Sequence, residues 1–503
     1  MGENLEALKK RLADIGKLHR AAAVLGWDMR TYMPPGGASA RSEQLAYLSK
    51  LTHEMFISEE TGKLLEKSEN ECAGMDADSN EAKILRNVRR SYDHAVKIPT
   101  SLAEEFSRHT TLSEDVWTRA RAENRYSDFA PYLDKTLDLL NQMIQHLGYE
   151  EEPYDTLLDM YERGAKTKDI EAVFQKLEKP LVDMVRAIVG STPKGDNSPL
   201  TGDFPSYKQN KLTLKVVASL GYDLNRGRQD PTVHPFCCGF SRDDVRITTR
   251  FSPDRLEPAL FGSMHESGHA MYDQNIPAEF ENTPIGGAAS LGVHESQSRF
   301  WENIVGRSLP FCEFVLPLLR ETFPDPFESC DAARFHRSIN RVHPSFIRVE
   351  ADEVTYNLHI LLRFQLERDI FSGKITVKDL PEAWNAKMET LLGITPPNDT
   401  QGVLQDIHWA GGMIGYFPTY TLGNLLSAQL WRSMRKDIAD PEEHIRKGEF
   451  APLLDWMREN VHRHGSRYFS KELIPLATGE PLNPNYFMSY LREKYSRIYD
   501  MDI

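Results

Sequence analysis

The sequence predicts a mostly helical, all-α protein with one small β-sheet beside the segment that carries its chemistry. Three observations predict it. Apolar residues recur at spacings of three and four from Asn4 to about Lys168. One short segment, Asp244 to Arg250, alternates β-branched with polar residues, as a half-buried strand does. The run His265-Glu266-Ser267-Gly268-His269 falls inside a stretch of helical spacing, Phe261 to Gln274.

The elements follow in order. Leu5, Leu8, Leu12, Ile15 and Leu18 form the first stripe, and similar stripes run through Leu45 to Leu65, Ala82 to Val96, Leu102 to Ala122 and Tyr132 to Leu147. Long amphipathic helices with short polar joins describe an all-α architecture. Trp27 to Gly37, with two prolines and two glycines, is expected to be a loop anchored by Trp27. Gly195 to Asp230 is expected to be a hinge holding one helix from Pro205 to Leu220. The strand candidate comes next, and an edge strand of such a sheet could bind an extended peptide by main-chain hydrogen bonds. Ser252-Pro253-Asp254 then reads as the cap and first turn of a helix that Pro277 follows, with Leu256, Leu260, Phe261, Met264 and Tyr272 on its buried side. Ser290 is expected to cap a second helix through His294, Glu295 and Trp301, ending near Gly306 and Pro310. A further helix is expected from Ile347 to Leu366, with Arg348, Asp352, Thr355 and His359 in one polar row. The tail contributes helices at Pro452 to His462 and Tyr486 to Tyr495. The expected division is one catalytic domain over 1–503: a helical lobe over 1–230, the motif-bearing part over 231–430 and a helical end over 431–503.

Composition narrows the class. The 503 residues carry a formal net charge of −14, which argues against nucleic acid, because phosphate binding wants a basic face. No apolar run is long enough to span a bilayer and the first helix is charged, so no membrane segment or signal peptide is expected. Glu6 stands where a myristoylation signal needs serine or threonine. Five cysteines in no pattern point to a reducing, cytoplasmic setting without disulfides.

Residues four apart on a helix share one face, so His265 and His269 can bind one cation, and Glu266 stands beside them as general base for an attacking water. The chemistry indicated is metal-assisted hydrolysis. A third protein ligand is needed. Tyr272 and Asn275 occupy the places where one extended form of the motif has glycine and histidine, which excludes that form. Glu295 on the next helix is the assigned third ligand, with His294, Glu279 and Glu281 as alternatives; an i,i+4 pair with Arg299 is the competing explanation of Glu295. Downstream, Arg348 could grip a carboxylate bidentately, with Arg246 assisting. Gly402 to Tyr420, rich in glycine and holding His408, Tyr416 and Tyr420, reads as backbone pressed close to a ligand, with donors for an oxyanion.

Six motifs together resemble one family. His234-Pro235-Phe236, Asp244-x-Arg246-x-Thr248, His265-Glu266-x-x-His269, His294-Glu295-Ser296-Gln297, Ile347-Arg348-x-x-Ala351-Asp352 and Gly402-x-x-Gln405-Asp406-x-His408-Trp409 are similar, in this order, to the signatures of the thermostable carboxypeptidase Taq family. The resemblance implies a two-lobed helical fold with a deep groove, related to angiotensin-converting enzyme and neurolysin, and commonly a homodimer. It implies removal of single C-terminal amino acids from peptides with broad preference, using Zn²⁺, with Co²⁺ or Mn²⁺ also accepted. His265, His269 and Glu295 would be metal ligands and Glu266 the catalytic acid/base. The resemblance also has Arg348 and Tyr420 contact the substrate. From the residues themselves, Tyr420 and His408 are further candidates for catalysis, and Arg246, Tyr416 and His234 for substrate binding. Two other readings stand beside it: a metallo-oligopeptidase that cuts inside short peptides, and a non-catalytic peptide-binding scaffold.

Overall fold

A computed structural model describes residues 2–191 and 198–502, so the first residues of the expected hinge at 195–230 lie outside the described residues. The chain forms two compact units, each assembled from separated stretches. The first comprises Met1–Val96, Asp196–Ile339 and Leu430–Pro481; the second comprises Lys97–Gly195, Asn340–Gln429 and Leu482–Ile503. Among the described residues no helix is long and apolar enough to cross a membrane.

The helical stripes of the N-terminal third form helices. Two expected boundaries move, for local reasons. The first helix, Glu3–Thr31, runs through Trp27 and stops only ahead of Pro34 and Pro35, which cannot donate into a further turn. Trp27 is nonetheless a buried anchor, and Asp28 pairs with Arg41 at 2.9 Å. The single stripe expected over Leu45 to Leu65 is two helices, Ala38–Ile57 and Glu59–Glu71, because the Ser58 hydroxyl caps the second by accepting from the Thr61 amide.

The small sheet has three strands, β1 (Gln229–Pro231), β2 (Cys237–Ser241) and β3 (Asp244–Thr249), in the order β1-β3-β2. The expected strand β3 is central, parallel to β1 and antiparallel to β2, so any edge role falls to its neighbours. Val245 and Ile247 are fully buried. The sheet packs on the helix Glu257–Asn275, which carries the two histidines. That helix begins one proline later than expected: Ser252 donates to Asp254 in a preceding turn instead of capping, and Pro258 occupies the first helical turn.

In the second unit, the helix expected from Ile347 begins only at Tyr356 and runs to Phe371. Asp352 accounts for the difference. Its side chain accepts from the amides of Val354, Thr355 and His343 and from the Thr355 hydroxyl, offering the backbone partners that a helix would otherwise have supplied. Arg348 therefore sits in a single 3₁₀ turn, Arg348–Glu350, and the expected polar row of Arg348, Asp352, Thr355 and His359 does not form on one helix.

Candidate active site

The helix Glu257–Asn275 is buried almost all round, and its histidine-bearing turn lies against the helix Leu291–Arg299. Gly268 sets that approach. A Cβ there would fall 2.6 Å from the Gln297 carbonyl oxygen and 2.7 Å from the Ser298 Cα, so only glycine lets the two backbones come this close. Ser290 caps the second helix by accepting from the Val293 amide, as expected. Gly268→Ala is expected to cost about 1–3 kcal/mol through overpacking, read as a lowered unfolding midpoint in urea.

The packing brings His265, His269 and Glu295 together, the one group among the described residues whose donors could hold a metal ion. His265 Nε2 lies 3.6 Å, and His269 Nε2 3.4 Å, from Glu295 Oε2. Donors at about 2.1 Å from a tetrahedrally held ion stand about 3.4 Å apart. The residues fit such an ion. Glu295 Oε1 accepts from Arg299 Nε at 2.6 Å, so the ion pair and the cluster use opposite oxygens of one carboxylate and do not compete. Of the alternatives, His294 turns its Nε2 to Asp273 Oδ1, 3.1 Å away.

Burial governs the electrostatics. It pushes the Glu266 carboxyl up to about 7, Glu295 adding to the rise while His265 and His294 oppose it. Burial, helped by the charge of His294, holds His269 down at about 4, so its imidazole is neutral. Burial also resists the charge on Glu295, but Arg299 and His265 outweigh it and keep the carboxyl well below its usual range. A neutral imidazole and an ionised carboxylate are the forms a cation binds.

Sequence reasoning missed Glu302. After Arg299 the helix widens into a π turn, Phe300–Val305, which places Glu302 Oε2 2.8 Å from His265 Nδ1. Burial opposes ionisation there, yet Arg299, His265 and Arg307 bring Glu302 down to about 2. The available signal was position: Glu302 lies seven residues after Glu295, on the same helix face.

The remaining predicted residues stand as follows. In the first unit His234 is exposed. Arg246 is paired bidentately with Asp244, at 2.8 Å to each oxygen, and lies over the Trp27 and Phe240 rings. In the second unit His408, Tyr416, Tyr420 and Arg348 cluster: His408 Nε2 is 3.3 Å from the Tyr420 hydroxyl, and the Tyr416 and Tyr420 rings are 5.3 Å apart. Arg348 is buried, not an open grip. Its Nε and Nη2 donate to Asp406 Oδ1 and its Nη1 to the Tyr356 hydroxyl, which engages three of the five N–H groups a guanidinium carries. The glycines of 411–415 press on the protein itself: a Cβ at Gly412 would meet the Phe106 ring and one at Gly415 the Leu157 backbone.

A helical fold with a buried group of two histidines and a glutamate that could hold a metal ion is the arrangement of a metallopeptidase. The family follows from comparison: the description Carboxypeptidase Taq (M32) metallopeptidase matches residues 7–495, and the chain belongs to that family. It is 43% identical over 498 residues to thermostable carboxypeptidase 1 of Pyrococcus furiosus, covering 98% of both chains. It is 41% identical to thermostable carboxypeptidase 1 of Thermus thermophilus, covering 99% of this chain and 98% of that one. The crystal structure of the M32 carboxypeptidase from Deinococcus radiodurans superposes with a TM-score of 0.97 at 37% identity, over 99% of this chain and all of the other. The mostly helical fold with its small sheet is therefore the M32 fold, and the protein is a metallocarboxypeptidase that hydrolyses peptides.

Proposed function

We propose that the chain releases single amino acids, one after another and with broad side-chain preference, from peptide C-termini. A divalent ion is held by His265, His269 and Glu295, and Glu266 is the general base. What carries this reading is the spacing of the three donors beside a buried glutamate on the same turn of helix. Zn²⁺ is the proposed ion, since two imidazoles and one carboxylate suit it, with Co²⁺ or Mn²⁺ as substitutes.

An ion in that position supplies Lewis acidity, polarising the scissile carbonyl and lowering the pKa of water toward about 7. Glu266 accepts the proton of the attacking water and delivers it to the leaving amine, and a carboxyl buried to about 7 suits both tasks. Tyr420 and His408 donate to the developing oxyanion. Arg348, through the N–H groups not engaged by Asp406 and Tyr356, receives the terminal carboxylate; Arg246, Tyr416 and His234 contact the rest of the substrate. Of these substrate assignments, that of Arg348 rests on the resemblance of the motifs; those of Arg246, Tyr416 and His234 are read from the residues themselves.

Glu302 orients His265 and strengthens it as a ligand. Glu302→Gln is expected to weaken metal binding by about 10- to 100-fold, measured by competition with a chelator.

We further propose one catalytic domain over the whole chain, kinship with angiotensin-converting enzyme and neurolysin, a homodimer and a cytoplasmic setting, the last supported by cysteines that are all free. Mass spectrometry of mixed peptides over time tests the activity: residues should leave singly from the C-terminus, and a C-terminal amide should block their release. Internal fragments, formed equally well from amidated peptides, would establish a metallo-oligopeptidase instead.

A further inference from the structure

The two imidazoles of the site are held in different ways. His265 shares its Nδ1 hydrogen bond with Glu302, but His269 Nδ1 is shut off from solvent and has no hydrogen-bond partner among the described residues. A ligating histidine ordinarily has its second nitrogen fixed by a carboxylate or carbonyl. Some other contact must orient this ring.

That contact is a face. The His294 ring lies on the His269 ring with centroids 4.4 Å apart and planes 17° from parallel. His294 is itself tethered, since its Nε2 meets Asp273 Oδ1 at 3.1 Å. Behind it stands Tyr272, 5.6 Å away and tilted by 32°, and behind Tyr272 the buried His462, 5.0 Å away at 27°. The column is pinned from both helices and from a third segment: the Tyr272 hydroxyl accepts from the Ala289 amide, and His462 Nε2 meets Gln297 Oε1 at 2.9 Å. Stacked rings of this kind resist rotation as well as displacement, which is what a ligand lacking a hydrogen bond needs.

We propose that His294 is a positioning residue for His269: face-to-face stacking, locked by Asp273, orients the imidazole that no hydrogen bond orients. This rests on the reading of His265, His269 and Glu295 as metal ligands. It assigns His294, which the sequence offered as an alternative ligand, to the support of a neighbouring one. The aromatic face is the operative part, so phenylalanine should serve where alanine fails.

The test is Zn²⁺ affinity of the full-length chain, by competition with a chromophoric chelator, together with the visible absorption of the Co²⁺ form. His294→Ala should bind Zn²⁺ about 10- to 100-fold more weakly and shift the Co²⁺ bands, whereas His294→Phe should stay within about threefold of wild type with bands in place. Asp273→Ala, which removes the tether and leaves the ring face, should lose no more than about threefold, as His294→Phe does. His294→Ala binding like wild type, or His294→Phe as weak as His294→Ala, overturns the proposal. If the metal-free His294→Ala variant proves unfolded by circular dichroism, His294→Leu takes its place, and His294→Leu binding as tightly as His294→Phe overturns the proposal. His269→Ala separates the two readings. Undiminished binding in that variant removes the ligand assignment itself; binding lost there but intact in His294→Ala removes only the stacking role.

Discussion

Glu266→Gln is expected to lower kcat by about 10²- to 10⁴-fold while the metal stays bound, because the amide keeps the shape of the carboxylate and cannot take a proton. The residue is 6% exposed and burial holds its carboxyl at about 7, so the protein has placed a carboxyl of unusual proton affinity one residue from the first histidine. The sign of the pH effect follows. The base must be ionised, so kcat/KM should fall as pH drops through its pKa. A bound cation pulls that pKa downward, putting the acid limb at or below about 7. Steady-state rates from pH 4 to 8, with metal content measured on the same samples, check both points. Wild-type rates in a fully metallated Glu266→Gln variant would remove the residue from the reaction.

The largest expected effect on stability belongs to Asp406→Ala. One carboxylate serves two buried guanidiniums: Arg348 through Nε and Nη2 on Oδ1, and Arg363 through Nε and Nη2 on Oδ2, at 2.5–3.1 Å. The Arg363 side chain is 0% exposed and that of Arg348 6%. Removing Asp406 leaves both charges buried beside each other without a counter-ion. Loss of one partner from a buried pair costs about 3–5 kcal/mol, so at least that much should disappear. Burial disfavours ionised Asp406, but Arg348 and Arg363 override it and hold its pKa far below the ordinary carboxylate value. With a depressed folded pKa, the contribution is complete above about pH 4 and is lost as pH falls below it. Urea unfolding at pH 7 should show the deficit, and Asp406→Asn a smaller one. A variant as stable as wild type would mean that water already shares the two charges.

Much of this was legible in the residues, and what was not has physical causes. The three ligand candidates and the strand before them could be read because helical and strand periodicities place side chains on faces. The cap at Ser290 followed from local chemistry as well. The helix expected from Ile347 failed because Asp352 satisfies amides that periodicity counts as helical, an effect of side-chain hydrogen bonding that an apolar stripe does not record. The glycines at 411–415 looked like a cradle for a ligand but accommodate the protein's own Phe106 and Leu157, because composition shows where backbone comes close and not to what. Spacing puts Glu302 on the face of Glu295, but its contact with His265 and the His294 stack depend on a π turn and on ring planes, which spacing does not specify.

Everything proposed for the reaction depends on three donors from neighbouring helices sharing one ion. Elemental analysis of the purified protein, of Glu266→Gln and of Glu295→Ala tests that most directly. Close to one equivalent of divalent metal is expected in the first two and almost none in the third, with release of C-terminal residues lost in step. A full equivalent retained by Glu295→Ala would contradict the shared site.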